Sequence, residues 1–353
     1  MSQISFYPGP SRIYSNATEY IYEAYMSGIL SANHRSEDFM TLVGETKQEL
    51  REKLLIPSDY TIAFVSSATE CWEIISQSLV RNSSAIAHNG SFGQKWAGLA
   101  SKIDSQSTGI EFGLNEALPV SQFVATKADV LGIVQNETSN GTQIAQGLIQ
   151  QINKEKGKDQ LVAIDVTSSL GGVALDLSQG DIWFASVQKC LGLPAGLALL
   201  ILSPRAVDRA AELNRDDQYN SLVKVIANSK LNQTHCTPNT LGIYLLQRTQ
   251  NFSKGVKYLD NKLLQRYEIL SQFVDQQKDL NWLIDEPSVR SSTVLALTVK
   301  NPEKLKKAAL SKGIVIGSGY GPWKTSSIRI ANFPAIKGKE IEKLVKFFSR
   351  YFD

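Results

Sequence analysis

Between about residues 60 and 203, short apolar runs alternate with segments whose apolar positions recur at helical spacing. That alternation predicts a parallel sheet with crossover helices. The runs span 61–65, 84–88, 130–135, 161–165, 182–185 and 196–202. Several are apolar at every position, so both faces of the sheet are expected to be covered, giving a three-layer α/β/α architecture. Helical spacing over 68–80 and 92–103, each with Ser, Thr or Asn just ahead, supplies two of the covering helices. After Pro204 the pattern changes: residues 238–275 read as one long helical stretch. From about 290 short elements return: strands over 293–299, 314–316 and 327–331, a helix from Pro302 and a terminal helix after Lys337. The expected organisation is an N-terminal segment over 1–15, a large domain over 16–254 and a small α+β domain over 255–353.

A chain of 353 residues with 42% hydrophobic positions can fill such a core. Net charge is +3 with both signs interspersed, so no basic stripe exists and nucleic acid is not an expected partner. No apolar run reaches the ~18–20 residues of a membrane span, and Met1–Phe6 lacks the regions of a signal peptide, so a cytoplasmic protein is expected. Cys71, Cys190 and Cys236 are widely spaced without C-x-x-C, which predicts reduced thiols and no metal site.

Candidate chemistry collects where the strands end. Asp165 closes one apolar run, and Gln188-Lys189 closes the next, placing an acid and an amine on one edge of the sheet. Pyridoxal phosphate requires that pair: an amine to hold its aldehyde as a Schiff base and a carboxylate to keep its ring nitrogen protonated. Ser66-Ser67-Ala68-Thr69 follows a strand and opens a helix, which suits either an anion at the helix N-terminus or a plain N-cap. Asn89-Gly90-Ser91-Phe92-Gly93 and Asn136-Glu137-Thr138-Ser139-Asn140-Gly141 follow two further strands. Phe92 is placed either to lie on an aromatic ligand or to pack in the core, and the Thr138 hydroxyl is aimed at the same edge. Ligands bind at that crevice in open α/β sheets. Gly317-x-Gly319-x-Gly321 precedes no helix and reads as a flexible loop.

In this order, Ser67-Ala-Thr69, Asn89-Gly-x-Phe92-Gly, Asn136-Glu-Thr138-x-x-Gly141, Asp165 and Gln188-Lys189 resemble the class V group of fold-type I pyridoxal phosphate aminotransferases. Phe6-Tyr-Pro-Gly9-Pro10, His34-Arg35-Ser-x-x-Phe39 and Thr237-Pro-x-Thr240 bring the chain nearest to the phosphoserine aminotransferases. The resemblance implies that Lys189 carries pyridoxal 5′-phosphate as an internal aldimine and moves the proton between the substrate Cα and the cofactor. It gives Asp165 the pyridinium nitrogen, Gln188 and Thr138 the ring hydroxyl, Phe92 the stacking position, and Ala68, Thr69 and Thr167 further cofactor contacts. It implies a homodimer in which the Thr237 loop completes the phosphate site across the interface. Arg329 matches a clamp for the substrate α-carboxylate, while His34 and Arg35 match residues near its distal anionic group. The implied substrates are an amino acid and a 2-oxo acid, with phosphoserine and 2-oxoglutarate first, in serine biosynthesis. Serine or alanine with pyruvate or glyoxylate is the alternative.

The chain departs from the family pattern at three positions. Thr69, Pro322 and Trp323 stand where phosphoserine aminotransferases commonly carry basic residues, which thins the positive charge around a substrate phosphate. Lys324 is the nearby charge expected to compensate. A class V cysteine desulfurase would need a late cysteine, and none follows Cys236. A cofactor-free binding module on the same fold would be colourless.

Overall fold

The computed structural model describes residues 3–251 and 253–352, built around two main sheets. The larger has seven strands in the spatial order Thr61–Val65, Ala198–Leu202, Ile182–Ser186, Leu161–Asp165, Val130–Val134, Ser84–His88 and Thr108–Glu111. Ala198–Leu202 runs antiparallel to both its neighbours, and the other pairings are parallel. The first strand therefore points the same way as the five parallel ones, and six carboxyl ends share one edge.

Each inner strand feeds two cores because successive side chains point to opposite faces. Val162 and Ile164 pack on one side with Leu131, Ile133 and Trp183, whereas Leu161 and Ala163 pack on the other with Val130 and Phe184. This explains the apolar runs without alternation. Helix Ala68–Ser78 covers the second face through Cys71, Trp72, Ile74 and Ile75, and helix Ser91–Ile103 covers it through Trp96, Ala97 and Ala100.

The second sheet has five strands in the order Ile4–Phe6, Ile314–Ser318, Ser327–Ala331, Val294–Val299 and Leu280–Trp282. The N-terminal strand pairs in parallel with Ile314–Ser318, bringing the start of the chain into the sheet formed by its end. Helices Val256–Asp275 and Gly338–Phe352 pack there through Leu270, Val274, Leu344 and Phe348.

Three features differ from the sequence pattern. The stretch 238–275 is two helices, Thr240–Asn251 and Val256–Asp275; Gly255, with a φ of 85°, lies off the helical path as the N-cap of the second. Thr108–Glu111, Leu280–Trp282 and Ile4–Phe6 are short outer strands without a long apolar run to signal them. The glycines at 317, 319 and 321 form close contacts instead of an open loop. A Cβ at Gly319 would overlap the Trp323 carbonyl oxygen, and one at Gly321, where φ is 56°, would lie 2.6 Å from Ser91 Oγ.

Candidate active site

A cavity of about 230 Å³ opens at the shared carboxyl edge, between the two sheets. Strand Ile182–Ser186 ends just before Gln188 and Lys189, and both line it. Lys189 is buried and its Nζ donates to Thr138 Oγ1 at 2.7 Å, lying 4.9 Å from the centre of the Phe92 ring. Burial brings its pKa down to about 8, against the pull of the Asp165 and Glu137 carboxylates, with Arg329 adding to the depression. The N-terminal segment passes directly over the lysine stem: a Cβ on Gly9 would sit 3.1 Å from Lys189 Cε.

Asp165, at the end of the neighbouring strand, is also buried and lines the cavity. Its carboxylate accepts the Trp72 Nε1–H at 3.2 Å and the Thr167 backbone N–H at 2.9 Å. Burial raises its pKa, opposed by the Thr167 hydrogen bonds, the Lys189 charge and Trp72. The acid and the amine therefore each have other partners and face the same space.

Glu137 organises the adjoining wall. Its buried carboxylate accepts the backbone N–H groups of Phe92 and Gly93, both at 3.1 Å, and the N–H and Oγ–H of Ser139 at 2.9 and 2.6 Å. It thereby caps helix Ser91–Ile103, whose own N-cap residue, Gly90, has no side chain. Gly90 is obligatory because a Cβ there would overlap the Glu137 side chain. The arrangement fixes Phe92, which stacks on Tyr320 with ring centres 5.2 Å apart. Tyr320 accepts a hydrogen bond from Lys95 Nζ at 2.7 Å.

Helix Ala68–Ser78 aims its N-terminus at the same cavity. Ser67 Oγ caps the Glu70 N–H at 3.1 Å and Ser186 Oγ accepts the Ala68 N–H at 2.8 Å. Thr69, which lines the cavity, is the first-turn residue whose amide remains for an anion. From the second sheet, buried Arg329 donates through Nε to the Ser318 carbonyl and through Nη1 to the Thr138 carbonyl, both at 2.8 Å.

Ala68, Thr69, Phe92, Thr138, Asp165, Thr167, Gln188, Lys189 and Arg329 thus meet around one space. His34, Arg35, Thr237 and Lys324 lie outside its lining. Arg35 is exposed and donates to Gln233 Oε1 and, at 3.3 Å, to Asn228 Oδ1. Thr237 is exposed beside a separate small cavity that it lines with Ser66 and Gly196. Lys324 is exposed after the turn Gly321–Trp323. Trp72, Glu137, Tyr320 and Lys95 were not singled out by sequence as site residues. Helical period offered one clue, since Trp72 follows Ala68 by one turn and shares its face.

The Aminotransferase class-V family model matches residues 8–322. A phosphoserine aminotransferase of Rhodococcus opacus is 24% identical over 352 residues, spanning 96% of this chain and 92% of that protein. One of Corynebacterium glutamicum is 26% identical over 351 residues, spanning 95% and 91%. The crystal structure of a phosphoserine aminotransferase from Cytophaga hutchinsonii superposes with a TM-score of 0.95 at 28% identity, covering 99% of each chain. An aspartate aminotransferase from Thermus thermophilus shares the fold, with a TM-score of 0.85 at 20% identity over 99% of this chain and 98% of that one.

Proposed function

As a member of the class V aminotransferases, a fold-type I family that works with pyridoxal 5′-phosphate, this chain is a transaminase, and we propose that it acts on O-phosphoserine and 2-oxoglutarate, giving 3-phosphohydroxypyruvate and glutamate, as in serine biosynthesis. The observation that carries the reading is the pairing, in one cavity, of a buried lysine brought down to about 8 with a buried carboxylate that it does not neutralise by direct contact. The substrate assignment is supported by the phosphoserine aminotransferases that match the chain over nearly its full length.

The residues fit the cofactor. Asp165 is a buried carboxyl with its oxygens oriented by Trp72 and Thr167, Lys189 is a buried amine, and a helix N-terminus lies beside them. When bound, the cofactor supplies an aldehyde for an amine and a ring that accepts electron density from the substrate Cα. In the proposed assignment Lys189 Nζ would hold that aldehyde and would be the group that carries the proton at the substrate Cα. Asp165 keeps the ring nitrogen protonated, and Phe92 provides the stacking face. Thr138 and Gln188 would serve the ring hydroxyl, with Thr167 beside them, while Thr69, and Ala68 once its N–H exchanges Ser186 Oγ for the anion, would bind phosphate at the positive end of their helix. Arg329 exchanges two neutral carbonyl acceptors for the substrate α-carboxylate, a stronger charge-assisted pair. The homodimer, with Thr237 crossing to the partner subunit's phosphate site, belongs to the same proposal.

Transamination of an unphosphorylated amino acid is the second reading. It is favoured by Thr69, Pro322 and Trp323 in place of basic residues, and by the exposed position of Lys324. Single-turnover rates of the yellow holoenzyme with O-phosphoserine, serine and alanine separate the two. Phosphoserine is expected to react with the highest rate per unit concentration, and a higher value for serine or alanine would overturn the assignment.

A further inference from the structure

A substrate with two anionic ends needs a second cationic anchor besides Arg329. Within one subunit the positions expected to supply it do not: Thr69, Pro322 and Trp323 are uncharged, and His34, Arg35 and Lys324 do not line the cavity. Lys95 does not line the cavity either, but its ammonium is hydrogen-bonded to Tyr320, which does. Lys95 rises from the start of the second turn of helix Ser91–Ile103, with Nζ 2.7 Å from the Tyr320 hydroxyl, 5.0 Å from the centre of the Tyr320 ring and 5.6 Å from that of Phe92. Tyr320 itself lines the cavity and lies 5.2 Å from the Arg329 guanidinium carbon.

We propose that Lys95 and Tyr320 are the specificity-determining pair, the ammonium and the phenolic O–H together receiving the distal anionic group of the substrate, a phosphate or a side-chain carboxylate. This rests on the aminotransferase reading of the cavity. Lys95 donates to the phenolic oxygen, which leaves the Tyr320 proton for another acceptor. The ammonium has three donors, and among the described residues Tyr320 is its only hydrogen-bond partner. Both groups therefore retain donors for an incoming anion. Their position is set before the substrate arrives. Gly319 turns tightly against the Trp323 carbonyl, Gly321 abuts Ser91, and Tyr320 between them is stacked on Phe92. The pair also joins the two sheets, since Tyr320 follows strand Ile314–Ser318 and Lys95 belongs to a helix of the larger sheet.

The test is steady-state kinetics of the holoenzyme with O-phosphoserine, glutamate and serine as donors, for wild type, Lys95→Met, Lys95→Arg and Tyr320→Phe. Lys95 is exposed, and phenylalanine keeps the stack on Phe92, so folding is not at stake. Lys95→Met is expected to raise KM for the two acidic donors about tenfold while kcat changes far less, as for the loss of one charge-assisted contact. Lys95→Arg should recover most of that loss, Tyr320→Phe should raise the same constants, and KM for serine should rise far less. Unchanged KM for the acidic donors in Lys95→Met, or an equal loss with serine, would overturn the pair as a reader of charge. A wild type that uses glutamate but not phosphoserine overturns the substrate proposed above, while the pair is still read on glutamate. One that prefers serine to both overturns both.

Discussion

Burial decides the protonation of Lys189 more strongly than its charged neighbours do. Two carboxylates favour the ammonium form, yet the group is brought to about 8 instead of the usual 10.5. In the proposed role of Lys189 the neutral amine is the form that attacks an aldehyde, so below that pH protonation removes it. Uptake of pyridoxal 5′-phosphate by the apo-protein, followed by absorbance, should therefore accelerate as pH rises towards about 8 and then level. A rate still climbing at pH ~10, as for a free lysine, would contradict this environment. Asp165 is the second test at this scale. Removing one member of a buried charge pair costs about 3–5 kcal/mol, so Asp165→Ala should weaken cofactor binding, read by equilibrium dialysis, by at least 100-fold, on the order of the lower bound. Trp72→Phe keeps a smaller aromatic ring but deletes the N–H to the Asp165 carboxylate, and should cost about 1.5–3 kcal/mol in the same assay.

At the scale of elements, the sheet tolerates little change in volume. Gly132 lies in the middle of strand Val130–Val134, where a Cβ would overlap Ile86 and come within 2.9 Å of the Trp96 ring. Gly132→Ala should lower stability by about 1–3 kcal/mol through overpacking, shifting the urea midpoint without altering the slope. The same dense packing made the inner strands legible. Every residue of Val130–Val134, Leu161–Asp165 and Ile182–Ser186 is buried, so the apolar run is continuous. Thr108–Glu111 is a largely exposed edge strand whose one apolar side chain is Ile110, which leaves no such run. The break between Thr240–Asn251 and Val256–Asp275 was hidden because helical spacing persists on both sides of it.

At the scale of the molecule, the proposed dimer makes a quantitative prediction. If the Thr237 loop serves the partner subunit's site, an inactive Lys189→Ala chain and an inactive Thr237-loop variant should complement each other on subunit exchange. Half of the randomly assembled dimers are then mixed, each with one intact site, giving about a quarter of wild-type activity; no recovery, with exchange verified by sedimentation of tagged chains, would place Thr237 in its own subunit's site. No helix among the described residues is long and apolar enough to cross a membrane. The sequence by itself determined the α/β layering, the strand ends carrying Thr138, Asp165 and Lys189, and the helix starts at Ala68 and Phe92, because periodicity and terminus chemistry are local properties of the chain. Only tertiary structure decided that Trp72 orients Asp165, that Glu137 caps a helix 45 residues earlier, and that Tyr320 meets Lys95 across 225 residues. Those contacts depend on which faces of separately encoded elements are pressed together, and packing fixes that only once both sheets are assembled.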